Sequence, residues 1–162
     1  MRLAKNFTGT ILISSTLICS ASFAGSWDQF THGRTGSKPV YAGERKGFVM
    51  YVCRGVFADQ TLPGKLVYGQ NCSIPYAGGE VWADSYEVLQ GSYNWVDSNE
   101  VSSNSKLLLA GTDKYGREQF ICRTKEGVPG RLTNGLQSDL GGCQWGWGDD
   151  EHISWNYDVL LK

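Results

Sequence analysis

The sequence of this chain is written twice, in the same order, over almost all of its length after residue 26. Cys53-Arg54 recurs as Cys122-Arg123, PGKL at 63–66 as PGRL at 129–132, and YEVL at 86–89 as YDVL at 157–160. Further pairs in the same order are Trp27/Trp95, Ser37-Lys38/Ser105-Lys106, Ala42-Gly43/Ala110-Gly111, Cys72/Cys143 and Glu80/Glu151. The offsets stay between 66 and 71 residues, so loop-sized insertions account for every shift. Such preserved order indicates two copies of one supersecondary unit.

Two copies are too few for an open solenoid, which needs about three to bury a continuous core, so a closed pseudo-two-fold body is favoured. Runs rich in β-branched and aromatic residues predict strands at 48–57, 66–68, 85–89 and 155–161. Clusters of turn-forming residues separate them at 45–47, 58–60, 69–71, 77–79 and 148–150. We therefore predict an all-β fold with about four or five short strands per copy. The predicted repeats are 25–94 and 95–162, within one compact domain.

The first 24 residues have the pattern of a cleaved secretory signal. Arg2 and Lys5 precede a short apolar core at 11–18, and the tripeptide SFA at 22–24 puts small residues at positions −3 and −1 of a cleavage site. The alternative is a membrane anchor or a buried first helix, but the apolar run is short for a membrane span. We predict a secreted or periplasmic protein.

Charge and composition narrow the class of partner. Removing Arg2 and Lys5 with residues 1–24 changes the formal net charge from −1 to −3, and no basic patch is visible. Nucleic acid and membrane insertion are therefore not expected. The chain has 21 Gly, 6 Trp and 8 Tyr against 2 His, which favours tight turns and strands and leaves little histidine chemistry.

Four cysteines remain once Cys19 leaves with the signal: Cys53, Cys72, Cys122 and Cys143. An even number in an exported chain predicts two disulfides. The duplication favours either Cys53–Cys72 with Cys122–Cys143, or the crossed Cys53–Cys143 with Cys72–Cys122. We prefer the pairing within each copy, because each pair would lie on neighbouring strands. A zinc site is the alternative, although no C-x-x-C pair supports it.

The combined order of motifs resembles the DM-nine repeat family, whose members usually carry two such motifs in tandem. That order is Trp, Ala-Gly, Tyr-Val-Cys-Arg, Pro-Gly-Lys-Leu, Cys, Tyr-x-Gly-Gly-Glu and Tyr-Glu-Val-Leu, and the resemblance covers residues 27–161. The second copy departs from the family by changing Gly-Gly-Glu at 78–80 to Gly-Asp-Asp-Glu at 148–151. The resemblance implies an antiparallel β-sandwich of two pseudo-symmetric repeats.

The resemblance also implies a sugar site. Members of the family with an assigned role are similar to mannose-binding lectins of invertebrate immunity, and related motifs are fused to pore-forming modules in natterin-like toxins. In the lectins the Lys of Pro-Gly-Lys and an Asp in the loop after the Gly pair hold sugar hydroxyls. Carried over by position, these roles fall to Lys65 and Glu44 in the first copy, and to Arg131 and Asp113 in the second. Neither copy has the full Asp/Lys pair.

The chemistry of these residue types suits a hexose. A carboxylate accepts from vicinal hydroxyls, a cation donates to their lone pairs, and an aromatic ring covers the C–H face. We expect Pro-Gly to form a tight turn that holds Lys65 or Arg131 at one point. The alternative for Lys65 is a solvated charge in a turn. Candidate aromatic residues are Tyr76, Trp82, Trp145 and Trp147.

Other repeated residues are expected to be structural. Arg54 and Arg123 should each cover an aromatic face or pair with Glu80 or Glu151. Tyr86 and Tyr157 should be core residues with one tethered hydroxyl, and Trp27 and Trp95 should pack the first strand of each copy.

We therefore predict a secreted carbohydrate-binding module of mannose type, without catalysis, that binds glycans or glycoconjugates. Several weak sites, multiplied in a homodimer, would gain avidity for clustered glycans. The alternatives are a protein-binding adhesin or toxin component, and a glycan-active hydrolase. Only His32 and His152 are available for acid–base work, and no known nucleophile or metalloprotease motif occurs. No cofactor or metal is predicted; the acidic run 149–152 invites a calcium site but is more typical of an acidic turn.

Overall fold

A computed structural model of the chain describes residues 25–136, 138–139 and 141–162. The predicted signal segment and Cys19 lie outside these residues. The described part contains fourteen strands: β1 (Gly25–Thr31), β2 (Tyr41–Arg45), β3 (Phe48–Phe57), β4 (Gln60–Val67), β5 (Cys72–Tyr76), β6 (Gly79–Ala83), β7 (Ser85–Gly91), β8 (Trp95–Asp97), β9 (Leu109–Thr112), β10 (Glu118–Thr124), β11 (Pro129–Thr133), β12 (Cys143–Trp147), β13 (Asp150–Ser154) and β14 (Tyr157–Leu160). Two short 3₁₀ helices span Ser98–Glu100 and Asn104–Lys106. None of the helices in these ranges has the length and hydropathy of a membrane span.

All named strand pairs are antiparallel, which confirms the predicted all-β class. The strands form one hydrogen-bonded path, β1-β7-β3-β4-β5-β6-β13-β12-β11-β10-β14-β8, with β2 beside β3 and β9 beside β10. The path has the same order when followed inward from either end, and the two halves meet where β6 pairs with β13. Seven described strands fall in each half, more than the predicted four or five.

The strand registers repeat along with the sequence. Cys53 lies opposite Gly64 on β4 and Val88 on β7. Cys122 lies opposite Gly130 on β11 and Val159 on β14. The two copies thus use the same pairings, while the two-layer sandwich and the boundary at residue 95 stay predictions.

The Pro-Gly dipeptides lie inside strands, so the predicted turn is wrong at both. Pro63 and Gly64 are within β4, and Pro129 and Gly130 open β11. A Cβ added at Gly64 would lie 2.1 Å from the carbonyl oxygen of Ser73, and one at Gly130 would lie 2.1 Å from that of Gln144. Glycine is therefore required by the close approach of the next strand and not by a turn.

The core is built from both halves. One buried cluster belongs to each half, and two others join the halves. The larger shared cluster contains Val40, Ala42, Val52, Leu89, Ala110, Ile121 and Leu160, and the smaller contains Met50, Val67, Val128 and Trp145. Tyr86 is buried, and its hydroxyl donates to the carbonyl of Arg34 at 3.1 Å, which confirms the predicted tether for this residue. Tyr157 is buried, as predicted. Because residues of both halves bury their apolar surface in these shared clusters, neither half completes its core without the other.

Two disulfides link neighbouring strands inside each half. Cys53 is bonded to Cys72, and Cys122 to Cys143, so the preferred pairing is confirmed. All four cysteines are fully buried and oxidised, which excludes the zinc alternative. Loops of about 20 residues are expected to contribute on the order of 3 kcal/mol each.

Two arginines tie each half to the other. The Arg54 guanidinium lies 4.3 Å above the Trp27 ring, its Nε donates to Glu87 at 2.6 Å, and its Nη1 donates to the carbonyl of Ala110 at 2.9 Å. In the other half, an equivalent set of contacts joins Arg123 to Trp95, Asp158 and the carbonyl of Ala42. The predicted aromatic contact is confirmed. The predicted pairing with Glu80 or Glu151 is wrong, since the nearest carboxylates are those on the adjacent strands β7 and β14.

We expect Arg54→Lys to lower the free energy of unfolding by about 1–3 kcal/mol, because one ammonium cannot stack on Trp27 and serve both acceptors. Urea unfolding with the disulfides intact measures this. Arg34→Lys is the control, since Arg34 is exposed and forms no ion pair among the described residues. Equal unfolding midpoints for the two variants would contradict the bridging role.

Candidate functional site

A cleft of about 240 Å³ lies where the first half meets the turn between β12 and β13 of the second half. Its lining comes from both halves: Phe48, Lys65, Val67, Gln70, Glu80, Trp82, Trp147, Gly148 and Asp149. The cleft therefore exists only when the two copies are assembled.

The floor of the cleft is an ion pair between Lys65 on β4 and Glu80 on β6. Their side chains are 6% and 2% exposed. The Lys65 Nζ donates to Glu80 Oε1 and, at 2.6 Å, to the carbonyl of Gly146 in the second half. The Ser73 hydroxyl on β5 also donates to Glu80 Oε1. Three adjacent strands and one strand of the other half thus hold the pair in a single geometry.

The second carboxylate oxygen of Glu80 holds the turn that closes the cleft. Glu80 Oε2 accepts the backbone amide of Asp149 at 3.1 Å. Asp149 has φ of 70°, a left-handed conformation that Asp tolerates better than most residues. The Asp149 side chain is exposed and belongs to the lining, so a second carboxylate stands at the mouth.

The ion pair at the floor keeps some hydrogen-bonding capacity for a ligand. A lysine ammonium has three donors, and Lys65 uses two of them on protein groups. A carboxylate has about four acceptor sites, and Glu80 uses three of them. By this count, one donor of Lys65 and one acceptor site on Glu80 Oε2 are not used by the described residues. The Lys65 Nζ also lies 5.4 Å from the centroid of the Trp147 ring, which lines the cleft.

Burial is the main influence on the charge of Lys65. Desolvation lowers the pKa of Lys65 below its ordinary value of 10.5, and Arg45 adds a smaller effect in the same direction. The hydrogen bond and charge of Glu80, with the charge of Asp149, raise the pKa of Lys65 and offset part of the shift. The ammonium form thus depends on the carboxylates around it.

Aromatic rings form the walls. Trp147 and Phe48 meet edge to face with ring centroids 6.3 Å apart, and Arg45 lies 5.0 Å above Trp147 on β12. Trp82 is 45% exposed on β6. These rings give the cleft flat apolar surfaces beside the polar floor.

The other half contains the same arrangement with different atoms. Arg131 Nη2 donates to Glu151 at 3.0 Å, and Arg131 Nε donates to the carbonyl of Pro75 at 3.0 Å. Glu151 Oε2 in turn accepts the amide of Gly78 at 2.7 Å. Each cation therefore binds a carbonyl of the opposite half, and each glutamate holds the opposite turn.

Asp113 and Glu44, the predicted loop acids, do not belong to this lining. Asp113 is 6% exposed and organises its own loop, since Oδ1 accepts the amides of Tyr115 and Arg117 and Oδ2 accepts Arg117 Nε at 2.6 Å. Burial alone would raise the pKa of Asp113, but the contacts with Arg117 and Tyr115 lower it. Glu44 is exposed on β2.

Of the predicted aromatic residues, Trp82 and Trp147 line the cleft. Tyr76 packs edge to face on Phe57, and its hydroxyl accepts from Gln60 at 3.2 Å. Trp145 is buried, with its indole N–H donating to Ser154 at 3.0 Å.

Of the charged residues that line the cleft, Glu80 and Asp149 were not predicted as ligands from the sequence. Glu80 and Glu151 are equivalent in the repeat, as are Lys65 and Arg131. This parallel could have predicted one cation–glutamate ion pair in each half. Asp149 offered no such signal, because Gly78 stands at its position in the first copy.

Comparison with known proteins gives one family and one fold. The model of the DM9 repeat matches residues 44–152. No curated protein sequence matches the chain. The crystal structure of the nematode sperm cell motility protein MFP2B is similar, at 16% identity and a TM-score of 0.57, over 85% of this chain and 45% of that chain. This chain thus spans less than half of the MFP2B chain, and at this identity the likeness concerns the fold alone.

The matched range contains both disulfides, both Pro-Gly-cation motifs and both cation–carboxylate pairs. It also contains all the residues that line the cleft. The motif order described from the sequence and the family model agree, and the chain belongs to the DM9 repeat family.

Proposed function

We propose that this protein is a carbohydrate-binding module whose cleft takes one hexose residue of a glycan. The observation that carries the proposal is a cleft lined by Trp82 and Trp147 whose floor keeps one donor of Lys65 and one acceptor of Glu80 unused by the described residues. A sugar hydroxyl is both donor and acceptor, so the hydroxyls of one sugar can pair with both groups. The exposed carboxylate of Asp149 adds acceptors for a vicinal hydroxyl.

The size and walls of the cleft agree with one sugar ring. A volume of about 240 Å³ is below the roughly 300–1,000 Å³ that is typical of pockets for drug-sized ligands. An indole face can cover the C–H face of a pyranose. Because the polar floor is rigid before binding, little entropy is lost when a sugar binds. A mannose-type ligand is the specific form of this proposal that the family resemblance favours.

The arrangement favours binding over turnover. A glycosidase needs one carboxyl group to donate a proton and a second to attack or to activate water. Glu80 is held by Lys65, Ser73 and the Asp149 amide, so it is committed to accepting hydrogen bonds. We therefore propose a module without catalysis.

Export and assembly are part of the same proposal. Two disulfides are typical of proteins that fold in an oxidising compartment. A homodimer would present two clefts and raise the avidity for clustered glycans. Binding of a protein partner instead of a glycan remains the second candidate, supported by exposed aromatic residues such as Tyr68 and Tyr115.

We expect Trp82→Ala to weaken glycan binding about tenfold, because a stacked aromatic ring contributes on the order of 1 kcal/mol or more. A glycan array identifies the ligand, and isothermal titration calorimetry measures its affinity. Ile153→Ala is the matched control, since Ile153 holds the equivalent exposed position on β13 and lies outside the cleft lining. Equal binding by both variants would reject the cleft assignment, whereas hydrolysis of the ligand would reject the proposed absence of catalysis.

Glycan affinity should fall as the pH rises toward and above the lowered pKa of Lys65, because the neutral amine loses its attraction to Glu80 and Asp149. The fall should begin at a lower pH than the ordinary value of 10.5. Lys65→Arg is the control, since a guanidinium stays charged over this range and should flatten the profile. Calorimetry from neutral to alkaline pH measures it, and identical profiles for the two proteins would contradict a role for the Lys65 charge.

A further inference from the structure

The loop after β1 forms a second cleft, of about 510 Å³, lined by residues 32–36 together with Phe30, Tyr68 and Gly69. It is distinct from the Lys65 cleft but shares a boundary with it. Val67 and Gln70 of the turn between β4 and β5 line the Lys65 cleft, whereas Tyr68 and Gly69 of that turn line this one. A ligand longer than one sugar could therefore contact both.

This loop has a local excess of positive charge. Arg34 and Lys38 are exposed, and the chain has no acidic residue between Asp28 and Glu44. Among the described residues, neither cation forms an ion pair. Because no carboxylate pairs with these two cations, their positive charge can attract an anionic ligand.

The backbone of the loop adds donors. The carbonyl of Arg34 accepts the hydroxyl of buried Tyr86 at 3.1 Å, and the carbonyl of Thr35 accepts Nε2 of buried Gln90 at 2.7 Å. In a trans peptide the N–H points opposite to the carbonyl, and the described chain contains no cis peptide. The amides of Thr35 and Gly36 are therefore directed away from the interior, and they donate to no acceptor in the described part of the protein.

The loop is held in place before any ligand binds. A Cβ at Gly33 would lie 2.4 Å from the backbone of Gly69, and one at Gly36 would lie 2.6 Å from the Gln90 amide group. The Lys38 amide donates to Gln90 Oε1 at 3.0 Å. Glycines with positive φ at 33 and 36 permit this close packing. Successive outward amides in such a loop form a concave site for an anion.

The corresponding segment of the second half lacks these features. Residues 98–106 contain Glu100 and a single cation, Lys106. The segment carries two 3₁₀ helices, and Asp97 Oδ1 accepts the amide of Asn99 at 2.9 Å. The basic loop therefore occurs in the first half alone, and it lies beside the Lys65 cleft.

We propose that this loop binds the oxyanion of an acidic glycan, a sulfate or phosphate monoester, while the Lys65 cleft holds a neighbouring sugar. Arg34 and Lys38 supply charge, the Thr35 and Gly36 amides supply directed hydrogen bonds, and Tyr68 supplies an exposed ring for the adjacent sugar face. The glycan part rests on the proposed function of the Lys65 cleft, whereas the oxyanion site stands on the loop itself.

The oxyanion site is tested first without any sugar. Inorganic sulfate and inorganic phosphate are titrated separately into the ¹⁵N-labelled protein at constant ionic strength, and amide chemical shifts are followed. The amides of Thr35 and Gly36 should shift and saturate with at least one of the two ions, and the Arg34→Gln/Lys38→Gln double variant should lose the response. Lys106→Gln, at the equivalent position of the second half, should keep it. Unchanged Thr35 and Gly36 amides, or an equal response in the double variant, would overturn the oxyanion site.

The second experiment compares a sulfated oligosaccharide with its unsulfated parent, and a phosphorylated one with the same parent, by calorimetry. The charged form should bind about tenfold more tightly in the wild-type protein, and this preference should vanish in the double variant. Absence of any preference would overturn the proposal for glycans. Sulfate or phosphate binding at the loop without binding of either oligosaccharide would reject the function proposed for the Lys65 cleft and leave the oxyanion site in place.

Discussion

Each half of this molecule uses its own cation–carboxylate pair to hold the backbone of the other half. Lys65 reaches the carbonyl of Gly146, and Arg131 reaches the carbonyl of Pro75. A buried pair of this kind is weak evidence for stability, because desolvation offsets most of the attraction. Its effect is on geometry: a shifted register would leave a buried charge without its partners, so the pairs select one alignment of β6 against β13.

The cleft follows from that alignment. The Lys65 pair joins the halves with one donor and one acceptor left over, and the turn that Glu80 holds brings Trp147 and Asp149 over them. The same contacts that join the halves therefore preorganise a site between them. A substitution that weakened the contacts between the halves would therefore also change the Lys65 cleft. The lining residues of the second half, Trp147, Gly148 and Asp149, are placed in the cleft by those contacts.

Much of the fold could be predicted because each residue pattern that recurs in both copies is independent evidence for the same local structure. The strand at 48–57, the disulfide pairing and the stacking of Arg54 on an aromatic ring all follow from repeated residues. Pro63-Gly64 was predicted to form a turn because residue types do not show how closely the neighbouring strand β5 approaches Gly64. Contacts between the halves leave no local signal either, so the role of Glu80 in holding the Asp149 turn was not predicted.

The two halves share the strand pairing and the ion-pair contacts, but they differ in the residues that surround each ion pair. At positions equivalent in the repeat, Phe48, Trp82, Trp147 and Asp149 around the Lys65 pair are replaced by Arg117, Ile153, Tyr76 and Gly78 around the Arg131 pair. The structural contacts of both pairs persist, so those residues are constrained by folding. Phe48, Trp82 and Asp149 are not needed for those contacts, and their counterparts around the Arg131 pair are neither aromatic nor acidic. A duplicated fold thus separates two demands that a single copy would combine, because one pair can stay a joint between the halves while the other also holds a ligand.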